Sequence, residues 1–253
     1  MSRFLKFVII FQVMGFLFLP INSSAIERTH RPEFTRFELG AGGGWSHNSF
    51  DDLNDNYLDG IAIPLGILNR NLDDGFTGYV ELGLNFSRQL SLFLGYSYIT
   101  SDIDHRDNIT IQDYFYPFGV EANSRTTLNA SISSPYIKLK YKILPANPSL
   151  FFSIGGALCY GDVELKNRIV DFPQYTQIYR FTASGEGVFG SIGATFALSS
   201  RVDFVSELGY RDFQTDDLKD ESGHYWLVDS PSPTRMTLST SGVYFHGGLA
   251  IGF

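Results

Sequence analysis

The stretch Thr237–Phe253 reads Thr-Leu-Ser-Thr-Ser-Gly-Val-Tyr-Phe-His-Gly-Gly-Leu-Ala-Ile-Gly-Phe, and it decides the fold. Large apolar side chains fall on one phase of an alternation with a period of two: Val243, Phe245, Leu249, Ile251 and Phe253. Smaller or more polar residues fill the other phase: Gly242, Tyr244, His246, Gly248, Ala250 and Gly252. This period predicts a β-strand. Because an apolar strand exposed at a sheet edge aggregates in water, we expect it to close a barrel whose apolar face contacts lipid. A sandwich strand that ends the chain is the alternative.

Earlier stretches share this alternation, and together they predict eight strands. The predicted strands are residues 34–45, 76–86, 90–100, 127–143, 150–162, 184–198, 202–213 and 237–253. The connections between them alternate: long, short, long, short, long, short, long. This arrangement is typical of an all-β fold, the eight-stranded antiparallel up-and-down transmembrane β-barrel, with four long loops on one side.

The fourth predicted strand is the least regular, because its alternation changes phase. Apolar residues occupy odd positions in 137–141 but even positions in 128–132. We expect a β-bulge at Ser134-Pro135 to reconcile the two halves.

The inside and outside of the predicted barrel follow from composition. A soluble barrel of the lipocalin kind, the structural alternative, would carry its apolar face inside. Here the charged residues share a phase with Gly and Ser, which suit a narrow, crowded lumen. Aromatic residues lie on the apolar phase near the loop ends, where an interfacial girdle is expected: Trp45, Tyr98, Tyr160 and Tyr210.

The first residues predict export. A short basic segment precedes the apolar run Phe7–Leu19, which is too short to span a bilayer as a helix. Small residues follow, so we expect a signal peptidase to cleave after Ala25. The predicted organisation is a signal peptide over 1–25, a lead-in over 26–33 and a barrel domain over 34–253.

Composition excludes several kinds of site. The formal net charge of -8 argues against a nucleic-acid partner. The single cysteine, Cys159, cannot form an internal disulfide, and no Cys or His cluster around it suggests a metal site. We expect no cofactor.

The glycine–aromatic alternation, the predicted strands and the ending Gly248-Leu-Ala-Ile-Gly-Phe253 together carry a family resemblance. Over nearly all of its exported length the chain resembles the OmpA/OmpX-type small outer-membrane β-barrels. The resemblance implies the outer membrane of a Gram-negative cell, contact with outer-membrane lipids and lipopolysaccharide, and insertion by the barrel-assembly machinery. It also implies that Phe253 faces lipid at the periplasmic rim and belongs to the signal that this machinery reads. No catalytic motif accompanies the resemblance, so it predicts the fold and not the role.

Charged residues on the predicted inner phase are candidates for an ion network in the lumen: Glu38, Glu81, Lys138, Lys140, Asp203, Glu207, Arg211 and His246. Eight strands enclose a lumen that side chains just fill, and lone buried charges are costly. We therefore expect acids and bases to contact each other and to block water. A narrow gated pore or a proton relay is the alternative use of these residues.

The long loops are acidic, and solvation is the ordinary reason for such runs. Asp51, Asp52, Asp55 and Asp59 are possible cation contacts, although their spacing lacks the Gly of an EF-hand. Aromatic residues of the second and fourth loops could form a cap, or a surface for a host or envelope protein: Tyr114, Phe115, Tyr116, Tyr225 and Trp226.

An enzyme needs a nucleophile beside a base, and the sequence offers only weak pairs. His246 lies on the inner phase, away from lipid substrates, and His224 stands near Ser222 without further support. The sequence therefore predicts a non-enzymatic protein of envelope structure and surface interaction. A porin-like narrow pore for small solutes or ions comes second, and an enzyme that modifies envelope lipids comes third.

Overall fold

The computed structural model describes residues 37–50, 53–62, 68, 71–111, 119–144, 147–229 and 233–253. The predicted signal peptide and lead-in, the residues Asp51 and Asp52, and the aromatic residues 114–116 of the second loop lie outside these ranges. The eight long strands are β1 (Phe37–Ser49), β2 (Asp74–Asn85), β3 (Leu90–Ile111), β4 (Val120–Leu144), β5 (Ser149–Ile169), β6 (Gln177–Ala197), β7 (Val202–Thr215) and β10 (Thr240–Gly252). The short elements are β8 (Leu227–Asp229), β9 (Pro233–Arg235), a π-helical segment (Leu53–Ala62) and a 3-10 turn (Pro173–Tyr175).

The long strands form a closed antiparallel barrel in the order β1-β10-β7-β6-β5-β4-β3-β2, which confirms the predicted fold. The closing pair β1–β10 runs in unbroken register from Glu38 opposite Gly252 to Ser49 opposite Ser241. At its end the N–H of Phe37 donates to the carbonyl of Phe253 (3.2 Å), and the N–H of Phe253 donates back (3.0 Å). Neither helix among the described residues is long and apolar enough to cross a membrane.

The outer face of the barrel is apolar, as the alternation predicts. Side chains such as Leu94, Ile154 and Val188 are at least 60% exposed although they belong to the strands. Tyr98, Tyr160 and Tyr210 are also exposed on this face, towards the end of the barrel that carries the long connections. We call that end the loop end, and the opposite end, with the short turns and Phe253, the turn end.

Glycines on the inner face lie directly opposite inward-facing aromatic rings. The cross-strand pairs are Gly83–Phe93, Gly95–Tyr136, Gly155–Phe189, Gly187–Phe213, Gly193–Phe151 and Gly209–Tyr244. A Cβ added to any of these glycines would overlap the ring of its partner. The glycine–aromatic alternation therefore has a steric cause, because a lumen this narrow has room for one large side chain of each pair.

Strands β3 to β6 are longer than the sequence predicts, with 22, 25, 21 and 21 residues. At about 3.3 Å per residue and a tilt of about 40°, they span roughly 55 Å in height, about twice an apolar band of ~25 Å. The prediction of loops over residues 101–125 and 164–182 is thus wrong for most of both segments, which extend the strands as a four-stranded sheet. Their outer face is polar, so the apolar alternation typical of a lipid-facing strand is missing there.

The predicted bulge at Ser134-Pro135 is wrong. β4 pairs with β3 without interruption through Pro135, which lies opposite Tyr96, and the β4–β5 register shifts only between Lys142 and Leu144. Even-numbered residues of β4 face the lumen throughout. The inner surface itself changes along the strand, from charged at Lys138 to apolar at Leu128.

Candidate functional site: the lumen and its cap

The middle of the lumen is organised around Lys138. Its Nζ lies 2.7 Å from Oε2 of Glu81 and 3.6 Å from Oε2 of Glu207. These three side chains project from β4, β2 and β7, and each residue is less than 8% exposed. One ammonium group thus joins two carboxylates across the barrel.

Two tyrosine hydroxyls donate hydrogen bonds to these carboxylates. The hydroxyl of Tyr136 donates to Oε2 of Glu81 (2.7 Å), and the hydroxyl of Tyr244 donates to Oε1 of Glu207 (3.1 Å). The Nζ of Lys138 also lies 5.2 Å from the ring centroid of Phe93, within cation–π range. Hydrogen bonds and aromatic faces therefore supplement the ion pairs in place of water.

A second layer lies nearer the loop end and contains Arg211 and His246. Arg211 donates to Oγ1 of Thr77 (3.4 Å) and to Oδ1 of Asn48 (3.2 Å), and its guanidinium packs 5.1 Å from the ring centroid of Tyr244. Nε2 of His246 lies 3.1 Å from the same Thr77 hydroxyl. The expectation that charges pair acid to base does not hold for Arg211, because neutral oxygens and an aromatic ring surround it.

A third layer lies nearer the turn end. Nζ of Lys140 is 3.6 Å from Oε1 of Glu38 and packs 4.5 Å from the ring centroid of Phe151. Asp203 is half-buried at this end, opposite Ala250 on β10. Glu38, Glu81 and Glu207 thus offset Lys138, Lys140 and Arg211 in formal charge.

An apolar cap fills the lumen above the charged layers, towards the loop end. Its strand residues are Ile99, Ile103, Leu128, Ala130, Ile132, Ala157, Cys159, Val163 and Phe213. Its loop residues are Phe50, Leu53, Leu58, Ala62, Leu68, Leu72, Leu218, Trp226, Val228, Met236 and Leu238. Both sets belong to one buried cluster, so the first and fourth loops fold into the mouth of the barrel and are not simply solvated.

Trp226, which is 8% exposed, connects the loop residues of the cap to its strand residues. Its ring stacks on Phe181 of β6 (centroids 4.6 Å apart) and meets Tyr57 of the π-helical segment edge-on (5.0 Å). The N–H of Trp226 donates to the carbonyl of Leu218, and its own carbonyl accepts from the N–H of Met236. The fourth loop is therefore a hydrogen-bonded unit that joins the first loop to the barrel wall, as the cap hypothesis for Trp226 supposed.

A cavity of about 30 Å³ remains between the charged layers and the cap, lined by residues including Lys138, Glu207, Arg211 and His246. That volume holds about two water molecules and no larger solute. The lumen is a packed interior of polar and apolar layers.

Two of the four candidate cation contacts, Asp55 and Asp59, lie in the described part of the chain. Asp55 and Asp59 are exposed on the π-helical segment, where Oδ2 of Asp59 accepts from Asn71 (3.4 Å), while Asp51 and Asp52 lie outside the described residues. Within the part of the chain that the structure describes, no group of three or more His, Cys, Asp or Glu side chains could hold a metal ion.

Asp220 and His224 of the fourth loop form hydrogen bonds within one turn. Asp220 accepts from the backbone N–H groups of His224 (2.8 Å) and Ser222 (2.9 Å), and the His224 ring lies 3.3 Å away. The backbone hydrogen bond from His224 is the main cause that lowers the pKa of Asp220. His224 and Ser222 are thus parts of a turn.

A hydroxyl and an imidazole do meet in the lumen, at Thr77 and His246. This pair has the elements of a nucleophile and a base, but both residues are buried in the same layer as Arg211, inside the lumen. A lipid substrate outside the barrel does not reach them.

Sequence reasoning placed Tyr244 on the inner phase, but it missed Tyr136 and the apolar upper lumen. Tyr136 has the same parity as Lys138, and Leu128 has it too, so strict alternation along β4 identifies both once the bulge is abandoned. Asn48 and Thr77 carry no such signal, because short polar residues occur on either face.

Solved structures with a similar fold are outer-membrane proteins. Neisserial surface protein A has 12% identity over 86% of this chain and 97% of that chain, with a TM-score of 0.42. Ail of Yersinia pestis, in complex with the heparin analogue sucrose octasulfate, has 10% identity over 87% and 99%, with a TM-score of 0.44. The outer membrane protease OmpT from Escherichia coli has 13% identity over 72% and 65%, with a TM-score of 0.36. A search of curated proteins gives no match.

The model of one protein family matches most of the sequence. It is described as the outer membrane protein beta-barrel domain, and it matches residues 16–225. The closed eight-stranded barrel and its apolar outer face agree with that match, and they place the protein in the cell outer membrane, with lipid around its strands. The chain belongs to the outer membrane protein beta-barrel domain family.

Proposed function

We propose that this protein is a non-enzymatic and non-conducting outer-membrane barrel, which contributes to envelope structure and makes surface interactions through its extracellular side. The observation that carries the proposal is the double closure of the lumen. Charged layers around Lys138 fill its middle, and the apolar cap around Trp226 fills its mouth. An ion crossing the barrel would have to displace both.

The extracellular side offers a rigid surface for such interactions. The ring of Tyr225 lies 4.0 Å from Cζ of Arg235 and 5.0 Å from Nζ of Lys219, while Arg235 also pairs with Asp217 at 3.1 Å. Tyr225 remains 38% exposed and Leu227 52% exposed. An exposed aromatic held between two cations is pre-organised for contact with an envelope or host protein, because little side-chain entropy is lost on binding.

Planar-bilayer conductance tests the closure. We expect no stepwise current from the wild-type barrel. Trp226→Ala combined with Tyr136→Ala removes packing from both the apolar cap and the charged layers, so this double variant should show stepwise current. Steady ion-selective steps from the wild type that change with Lys138→Gln would instead establish the pore. The outward variant Gly190→Ala serves as the control for damage caused by reconstitution.

A further inference from the structure

Three arginines form a row on the outer face of the sheet that β3 to β6 extend beyond the lipid-facing band. Arg106 on β3 lies directly opposite Arg125 on β4, and Arg125 lies directly opposite Arg168 on β5. All three side chains are exposed. Cross-strand neighbours are about 5 Å apart, so three guanidinium groups share a strip about 10 Å long.

The row is only partly neutralised within the described part of the chain. Arg125 forms a bidentate pair with Asp104, with both N–O distances 2.8 Å. Arg106 attracts the same Asp104 at longer range, but among the described residues neither Arg106 nor Arg168 forms an ion pair within 4 Å. Lys166 lies beside the row on β5, opposite Thr127. Like charges directly opposite one another destabilise a sheet, so this arrangement suits an anionic partner.

The direction in which these arginine side chains face indicates where the anionic partner lies. Arg168 lies on the same outward phase of β5 as Tyr160 and Leu158, which are exposed in the lipid-facing band. The row therefore faces sideways, into the layer that covers the surrounding lipids.

The height of the row above the lipid-facing band limits which phosphate groups can reach it. From Tyr160 to Arg168 the strand advances eight residues, which is about 26 Å along the strand and roughly 20 Å in height at a tilt of about 40°. A phospholipid headgroup layer adds only about 6 Å to each side of the hydrocarbon core. Phosphates at the height of the row therefore need a sugar chain to carry them.

We propose that Arg106, Arg125 and Arg168 bind phosphate groups on the sugar core of lipopolysaccharide molecules that surround the barrel. Arg106 and Arg168 suit this role because a planar guanidinium matches phosphate oxygens with two hydrogen bonds, whereas Nε and Nη2 of Arg125 already bind Asp104 and leave Nη1 for a phosphate. The site goes beyond the proposed function and does not depend on the state of the lumen.

The test titrates the intact barrel in detergent with short-core lipopolysaccharide and counts bound molecules by native mass spectrometry. Arg106→Gln with Arg168→Gln keeps the Arg125–Asp104 pair and removes the two arginines of the row that form no described ion pair. Arg88→Gln with Arg201→Gln makes the same charge change in the exposed short turns at the opposite end. We expect about 30-fold weaker binding for the first variant, which corresponds to about 1 kcal/mol for each arginine near an anionic surface, and wild-type binding for the control.

Three further arms separate the sources of phosphate. Dephosphorylated lipopolysaccharide should bind the wild type as weakly as phosphorylated lipopolysaccharide binds the row variant, and millimolar inorganic phosphate should not compete. The proposal is overturned if the row variant binds like the wild type, if the turn variant loses as much, or if dephosphorylation has no effect. Binding of a soluble sulfated polysaccharide that depends on the row, without such dependence for lipopolysaccharide, would also overturn it. Heat-modifiable migration on a gel verifies that each variant is folded, and conductance measured on the same samples tests the lumen separately.

Discussion

Replacing Lys138 with Met tests the charged middle of the lumen most directly. The substitution keeps the length of the side chain and removes the ammonium that joins Glu81 and Glu207 at 2.7 and 3.6 Å. Two buried carboxylates would then lack this ammonium group, with the Tyr136 hydroxyl as a donor to Glu81 and the hydroxyls of Tyr244 and Ser191 as donors to Glu207.

The magnitude follows from desolvation. Breaking a buried ion pair by removing one partner costs about 3–5 kcal/mol, because the remaining charge stays out of water. The hydroxyl of Tyr136 still supports Glu81 and that of Tyr244 still supports Glu207, but neither neutralises a charge. We therefore expect Lys138→Met to lower the free energy of unfolding by about 4 kcal/mol at neutral pH. Adding Glu81→Gln removes one of the two carboxylates, so the double variant should cost at least about 1 kcal/mol less than the sum of the single changes.

Urea unfolding of the barrel in phospholipid vesicles, followed by tryptophan fluorescence, measures these costs. The matched control is Lys166→Met on the polar outer face, which should change stability by less than about 0.5 kcal/mol. A cost below about 1 kcal/mol for Lys138→Met would mean that the middle of the lumen is hydrated. Strictly additive single changes would mean that Lys138 and Glu81 do not act as a pair.

Three other changes test the packing of the lumen and the loops. Gly95→Val drives a side chain into the ring of Tyr136 and should cost about 1–3 kcal/mol in the same unfolding assay, whereas Gly190→Val, which meets only a backbone oxygen at 3.6 Å, should be tolerated; equal costs would place the two glycines in equivalent surroundings. Trp226→Ala removes the ring that connects the loop and strand residues of the cap and should expose the first and fourth loops to added protease while the strands stay protected, and unchanged cleavage would contradict the cap. Hydrogen bonds in the folded turn lower the pKa of Asp220, so its contribution to order is present above the ordinary carboxyl pKa and is lost as the pH falls through the lowered value. The protection factors of the fourth-loop amides, which are corrected for the intrinsic exchange rate at each pH, should therefore fall below about pH 4 in the wild type. Asp220→Asn should lose this acid dependence, and an unaltered dependence would refute the role of this carboxylate.

Local alternation was enough to predict the eight long strands, their order and the face that most of their residues occupy, although not for the upper half of β4. Phe245 and Leu249 face outward, whereas Glu207 and Lys138 face the lumen, because the period of two is a property of the extended backbone itself. The inner location of the charged residues follows from the same parity.

The partners inside the lumen required the tertiary structure. Lys138 meets Glu81, whereas Arg211 meets Thr77 and Asn48, and these choices depend on the stagger between strands that are not neighbours in the barrel. The stagger is a property of the closed sheet, and no single stretch of sequence encodes it.

The cap and the length of β3 to β6 also lay beyond the sequence pattern. Leu128 has the same parity as Lys138, and the apolar residues of the loops follow no period, so their common cluster appears only when the loops fold back into the barrel mouth. Above the lipid, the outer face of these strands no longer needs apolar residues, and the apolar alternation that marks a strand shifts to the inner face. The sequence by itself determined the barrel and its two faces, because backbone geometry repeats locally; the tertiary structure decided which charges pair and what closes the lumen, because those contacts join residues far apart in the chain.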